Sequence, residues 1–120
     1  MKKILLSILI AIISCSAIAK DTIPTQFHGI FETEKSNCGN NIMYNYSDSG
    51  FEITGTGISG FEEGCTLKKA VSKTDTSFVG KFSCGGPDGD EVKKVTLTLS
   101  ADKKAITTTG YFGGKKFRCK

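Results

Sequence analysis

The residues of this chain best suited to chemistry are its five cysteines, its single histidine and a run of three acids. Cys38, Cys65, Cys84 and Cys119 form an even set in a short chain, and none sits in a Cys-x-x-Cys pair. That spacing predicts disulfides rather than zinc or redox chemistry. Cys15 is different, because Ile12-Ile13-Ser14-Cys15 has the form of a lipobox whose thiol would be acylated. His28 could serve a small envelope hydrolase as an acid–base group if Glu32 or Asp90 converged on it. Spacing alone supplies neither a nucleophile nor an orienting carboxylate, so no catalytic residue is assigned. Asp88, Asp90 and Glu91 could give a hard cation some of its six to eight oxygens, but their spacing completes no calcium loop. Neither a metal nor a cofactor is expected.

Two further patterns bear on binding. Gly55-Thr56-Gly57-Ile58-Ser59-Gly60 spells a dinucleotide fingerprint, which works only at a helix N-terminus inside a parallel βαβ unit. The residues after it read as strand, so turns and close β packing account for the glycines. Tyr44, Tyr46 and Tyr111, with Phe112, Lys115 and Lys116, are the candidate partner-binding residues. A phenol offers apolar area with a polar tip, and 111–116 reads as an aromatic, basic loop.

The N-terminus assigns the compartment. Lys2 and Lys3 precede an apolar stretch over 4–13, and Ala17-Ile18-Ala19 gives an Ala-x-Ala cleavage site. This is the layout of a helical secretory signal peptide, and a run of about ten residues is half of the roughly twenty needed to span a bilayer. The expectation is a signal peptide at 1–19 and a disulfide-stabilised domain at 20–120, periplasmic or secreted. The alternative is an outer-membrane lipoprotein anchored through Cys15, the one route by which a membrane becomes a partner. Without Lys2 and Lys3 the 16 Lys and Arg fall to 14, against 12 Asp and Glu, for a net charge of +2. With Arg118 the only arginine, this balance argues against nucleic acid as a partner.

Short runs of Phe, Ile, Val, Thr and Tyr, broken by Gly, Asn, Asp and Ser, predict the elements that position these residues. They read as strands at 26–32, 42–46, 50–54, 58–71, 76–84, 92–100, 105–109 and 116–119. The fold class is all-β, a single antiparallel meander of seven or eight strands closing into a barrel or rolled sheet. The hairpin centred between Thr74 and Asp75 sets a register in which Cys65 faces Cys84, Leu67 faces Phe82, Lys69 faces Gly80 and Val71 faces Phe78. That register also gathers the apolar side chains on one face. With 73–76 as the loop and Ser72 and Ser77 closing it, the cysteines meet at a non-hydrogen-bonded position, where Cα atoms lie about 4.5 Å apart. The pairing is therefore Cys65 with Cys84 and, by elimination, Cys38 with Cys119. The chain-entropy model gives these bridges roughly 3 and 4.5 kcal/mol. A second hairpin sets Leu99 opposite Ile106 and puts Thr96, Thr98, Thr107 and Thr109 on a solvated face. Phe51, Phe61, Phe78, Phe82, Phe112 and Phe117 are the expected core.

Phe27-His28-Gly29-Ile30-Phe31, Cys38, Phe61-Glu62-Glu63-Gly64-Cys65, Ser83-Cys84-Gly85-Gly86 and the final Phe117-Arg118-Cys119 resemble a group of small exported bacterial two-disulfide β-proteins. Their pattern runs Phe-x-Gly-x-Trp, Cys, Glu-x-x-Cys, Cys-x-Gly and a last Cys. Phe31 stands here at the Trp position, and 87–91 is inserted where the group is compact. The resemblance implies the fold and transfers no activity. A non-enzymatic binding module of the envelope, such as an inhibitor or immunity-type protein acting on a protein or small ligand, is the expected function.

Overall fold

Strands of alternating aromatic or β-branched and polar residues bury one face each, and here they bury it inside a closed ring. The computed structural model describes residues 21–39, 45–87 and 89–120. The signal-peptide and lipobox readings, and most of the strand expected at 42–46, lie outside these residues. Eight antiparallel strands follow one another round the barrel: β1 Gly29–Glu32, β2 Phe51–Ile53, β3 Gly57–Gly60, β4 Glu63–Lys73, β5 Ser77–Gly86, β6 Gly89–Leu99, β7 Ala105–Thr109 and β8 Gly114–Arg118. β8 returns to β1 through the pairs Phe31–Arg118 and Glu32–Phe117. As in other eight-stranded barrels, the interior is filled by side chains. Phe27, Phe31, Phe51, Phe78 and Phe82 are fully buried there, with Ile23, Ile53, Ile58, Val95, Leu97 and Ile106.

Both predicted bridges are present, Cys65 with Cys84 and Cys38 with Cys119, at Cα separations of 4.0 and 5.6 Å. Two disulfides are consistent with an extracytoplasmic protein. The Leu67 N–H donates to the Thr56 carbonyl, away from β5. By alternation Cys65 and Cys84 form a non-hydrogen-bonded pair, as the hairpin geometry requires.

Five expectations need correction. The stretch 58–71 is two strands, because the chain reverses at Phe61-Glu62, with Glu62 in the left-handed region at φ 59°. The β4–β5 register agrees from Gly64 to Leu67 and then slips at two bulges, so that Lys69 faces Lys81, Ala70 faces Gly80 and Lys73 faces Phe78. Each bulge adds a residue to β4 without a partner on β5, which leaves Val71 51 % exposed. The turn also tightens: Thr74 N–H donates to the Ser77 carbonyl, and Ser77 N–H donates to Thr74 Oγ1. The strand expected from residue 26 starts at Gly29, because Thr25–Phe27 forms a 3-10 turn after Pro24. Among the expected core phenylalanines, Phe61 is 37 % exposed, and Phe112 and Phe117 are half-buried. Phe27 and Phe31 are in the core instead. The β6–β7 register agrees throughout, with Leu99 opposite Ile106 and threonine pairs facing outward.

The two ends of the barrel differ. At one end Ile23 N–H bonds the Gly55 carbonyl and Phe27 enters the core, so the N-terminal segment plugs the opening. Arg118 locks that plug. Its Nε donates to Lys103 O at 2.8 Å, Nη1 to His28 O at 2.6 Å and Nη2 to Gln26 O at 2.7 Å, while its guanidinium lies 4.8 Å from the Phe31 ring centre. The opposite end, the mouth, carries the β3–β4 turn, the β5–β6 turn and the β7–β8 connection.

Candidate functional site

The mouth is built where three connections leave the sheet together. β4 begins at Glu63 immediately after the Phe61-Glu62 reversal, β5 and β6 meet through the Gly86–Gly89 pair, and 110–113 crosses from β7 to β8. Between them lies a cleft of about 430 Å³, lined by Phe61, Glu62, Glu63, Glu91, Tyr111, residues 84–87 and Gly89. Buried Cys84 is part of the lining, and its bridge to Cys65 covalently joins the two hairpins that make the walls.

Tyr111 joins the walls from above. Its hydroxyl donates to Glu63 Oε1 at 3.0 Å across 48 residues of sequence. Desolvation raises the phenol pKa above its ordinary value, and the Glu63 hydrogen bond and the charges of Glu63, Glu91 and Asp90 raise it further. Burial penalises the phenolate, and the neighbouring carboxylates oppose a second negative charge beside them. Phe112 holds the loop down. Its ring packs between Phe51 and Tyr111, at centroid distances of 5.4 and 4.9 Å, and its carbonyl accepts a bond from Thr108 Oγ1 at 2.6 Å. Phe112 has φ 52° and Glu62 has φ 59°, so two non-glycine residues in left-handed backbone flank the cleft. Such conformations persist where the surroundings over-determine them, as at binding sites.

The glycines of the dinucleotide-like pattern serve the sheet. A Cβ at Gly57 would collide with the Cys65 carbonyl, and one at Gly60 would lie 2.7 Å from the Phe112 ring. Bare backbone there lets β3 approach β4 and lets the loop settle on the mouth.

The other proposed recognition residues are spread apart. Tyr46 is half-buried and its hydroxyl donates to the Gly60 carbonyl at 3.5 Å. Lys115 lies 5.6 Å from the Phe117 ring centre and Lys116 5.4 Å from that of Phe51. Burial lowers the Lys116 pKa, and nearby Glu32 opposes the shift. Tyr111 is therefore the one member of that set lining the cleft; Tyr44 lies outside the described residues.

His28 and Glu32 have separate partners. His28 Nε2 is 2.7 Å from the Ile23 carbonyl at the plugged end, which makes it the protonated nitrogen of the ring. Glu32 is fully buried towards the mouth end, where its oxygens accept from Ser47 N–H and Ser47 Oγ, each at 2.6 Å. Asp90 and Glu91 belong to β6, and Asp88 is outside the described residues. Among the described residues, no group of three or more His, Cys, Asp or Glu is placed to hold a metal. A second, more apolar hollow of about 380 Å³ adjoins the Cys38–Cys119 bridge.

Sequence reasoning missed the cleft because its acids come from separate segments. Glu62-Glu63 and Asp90-Glu91 meet only once β4 and β5 bring Cys65 to Cys84, and the reading of 58–71 as one strand concealed the turn that presents Glu62. Comparison of the chain with protein-family models, curated proteins and solved structures finds no match, so the site is read from its own geometry.

Proposed function

We propose that this protein is a non-enzymatic binding module of the bacterial cell envelope, of the inhibitor or immunity type, which holds a cationic group of a protein partner in the mouth cleft. The observation that carries this reading is the pairing of Glu62, Glu63 and Glu91 with the aromatic surfaces of Phe61 and Tyr111 round one cavity. A lysine or arginine side chain suits such walls, since its charge meets carboxylates while its stem or guanidinium plane lies on a ring. Acidic clefts also steer basic partners and raise their association rate.

A non-enzymatic role is supported by where His28 and Glu32 place their polar atoms, at opposite ends of the barrel and on backbone or Ser47 rather than on each other. The bridges favour a periplasmic or secreted protein. Acylation at Cys15 would instead hold the same domain on a membrane, and mass spectrometry of the mature N-terminus separates the two forms. The functional test is inhibition of lysozymes and cationic envelope toxins by wild type and by Glu63→Gln/Glu91→Gln. At least one enzyme should be inhibited, and the double variant should weaken that effect about tenfold or more, as loss of interfacial charge pairs does. Absence of inhibition throughout, or an undiminished double variant, counts against the proposal.

A further inference from the structure

β6 is longer than the strand that covers it. Its whole length from Gly89 pairs with β5, but β7 pairs only with Thr96 to Leu99. Leu99 N–H donates to Thr76 O on the β5 side, and Ser100 N–H donates to Ala105 O on the β7 side. Alternation then directs the backbone groups of Asp90, Val92 and Lys94 towards the β7 side. Gly110 abuts the Lys94 carbonyl; beyond it, among the described residues, no strand pairs with Asp90 or Val92. Val92 is 67 % exposed, the highest value among the large hydrophobic residues described. An unpaired edge carrying an apolar side chain is a template for another strand.

The sequence of that edge specifies which strand. Residues 90–94 read Asp-Glu-Val-Lys-Lys, so the charge pattern reverses sign about Val92. An antiparallel copy placed on a two-fold axis through Val92 sets Asp90 opposite Lys94 and Glu91 opposite Lys93, twice over. Glu91 and Lys93 already face the same way, 3.7 Å apart within one chain. A parallel copy, or one slipped by two residues, would lose this pairing and bring like charges together. Cross-strand opposite charges stabilise such a pair and like charges oppose it.

We infer that the edge 90–94 docks a second copy of this chain, forming an isologous dimer through antiparallel β6–β6 pairing centred on Val92. The two Val92 residues exchange N–H···O bonds, and the barrels join into one continuous sheet across the axis. Glu91 also lines the mouth cleft, so the axis brings two clefts side by side. This inference does not depend on what the cleft binds.

The test is sedimentation equilibrium of the natively processed, oxidised protein over a concentration series reaching millimolar, with amide hydrogen exchange followed by NMR. The mass should rise to twice the monomer value, and the Val92 amide should become protected as it does. Asp90→Lys/Glu91→Lys makes the edge uniformly positive, and Lys93→Glu/Lys94→Glu makes it uniformly negative. Each variant alone should stay monomeric with an unchanged near-UV circular dichroism spectrum, and an equimolar mixture should restore the dimer. A wild type that remains monomeric throughout overturns the inference. So does a dimer whose protected amides lie elsewhere, or one that neither variant weakens, or a mixture that stays monomeric.

Discussion

Replacing Arg118 tests how the barrel is closed. The β1–β8 seam has only two paired positions, supplemented by the Cys119 N–H bond to Ile30 O and the Cys38–Cys119 bridge. Arg118 adds three hydrogen bonds from one planar group, tying β8 to the N-terminal plug and to the β6–β7 turn. Hydrogen bonds from a charged donor are worth roughly 1.5–3 kcal/mol each, for a gross value of roughly 5–9 kcal/mol. The side chain is only half-buried and water can replace part of this, so Arg118→Met should cost about 3 kcal/mol. Arg118→Lys keeps the charge, but an ammonium cannot reproduce the three-way fork, and it should still cost about 2 kcal/mol. The assay is equilibrium urea unfolding with both disulfides intact, comparing midpoints at constant slope. If the lysine variant lies within about 0.5 kcal/mol of wild type, the guanidinium geometry is not what holds the seam.

Glu32→Gln replaces an oxygen that accepts from Ser47 with an amide donor, and should destabilise by about 1–3 kcal/mol in thermal unfolding. An unchanged melting temperature would mean that Glu32 does not anchor the loop before β2. Tyr111 should ionise above the ordinary tyrosine range, and Glu63→Gln should bring it back down, as read by NMR titration of the ring resonances. Because its folded pKa is raised, its contribution to stability is full below the unfolded pKa of about 10 and is lost as pH rises through the folded value. A titration indifferent to Glu63 would refute the negative mouth. Gly60→Val should displace Phe112, whose ring lies where the new side chain must go, and should cost about 1–3 kcal/mol as other overpacking substitutions do. Retained stability, with the Tyr111 and Phe112 resonances unmoved, would contradict that packing.

The barrel was legible in the sequence wherever period-two alternation met a turn signal. The 95–109 hairpin shows both, and its register agrees at every pair. The Cys65–Cys84 pairing was legible because sulfur geometry and segregation of hydrophobes select the same register. Bulges left no comparable trace: Lys68-Lys69-Ala70-Val71 lacks the strict polar–apolar alternation from which a slip could be read. The Phe61-Glu62 reversal was concealed for a related reason, since no Gly, Asn or Asp occupies the left-handed position that Glu62 takes. Glu32 and Arg118 were invisible as structural groups because their partners, Ser47 and three backbone carbonyls, are distant in sequence. Of the site, the sequence singled out Tyr111 and Phe112. The acids near Tyr111 were read apart, Glu62 and Glu63 within one strand and Asp90 and Glu91 as incomplete cation ligands, until the strands brought them together.

The most direct test of the mouth cleft is chemical-shift mapping of the isotope-labelled, oxidised protein titrated with a cationic lysozyme, with poly-arginine as the non-specific comparison. Saturable shifts should be confined to Phe61, Glu62, Glu63, the 84–91 bend and Tyr111, and be lost in Glu63→Gln/Glu91→Gln. Shifts centred on the plugged end, or a response to both titrants that the double variant leaves intact, would contradict it.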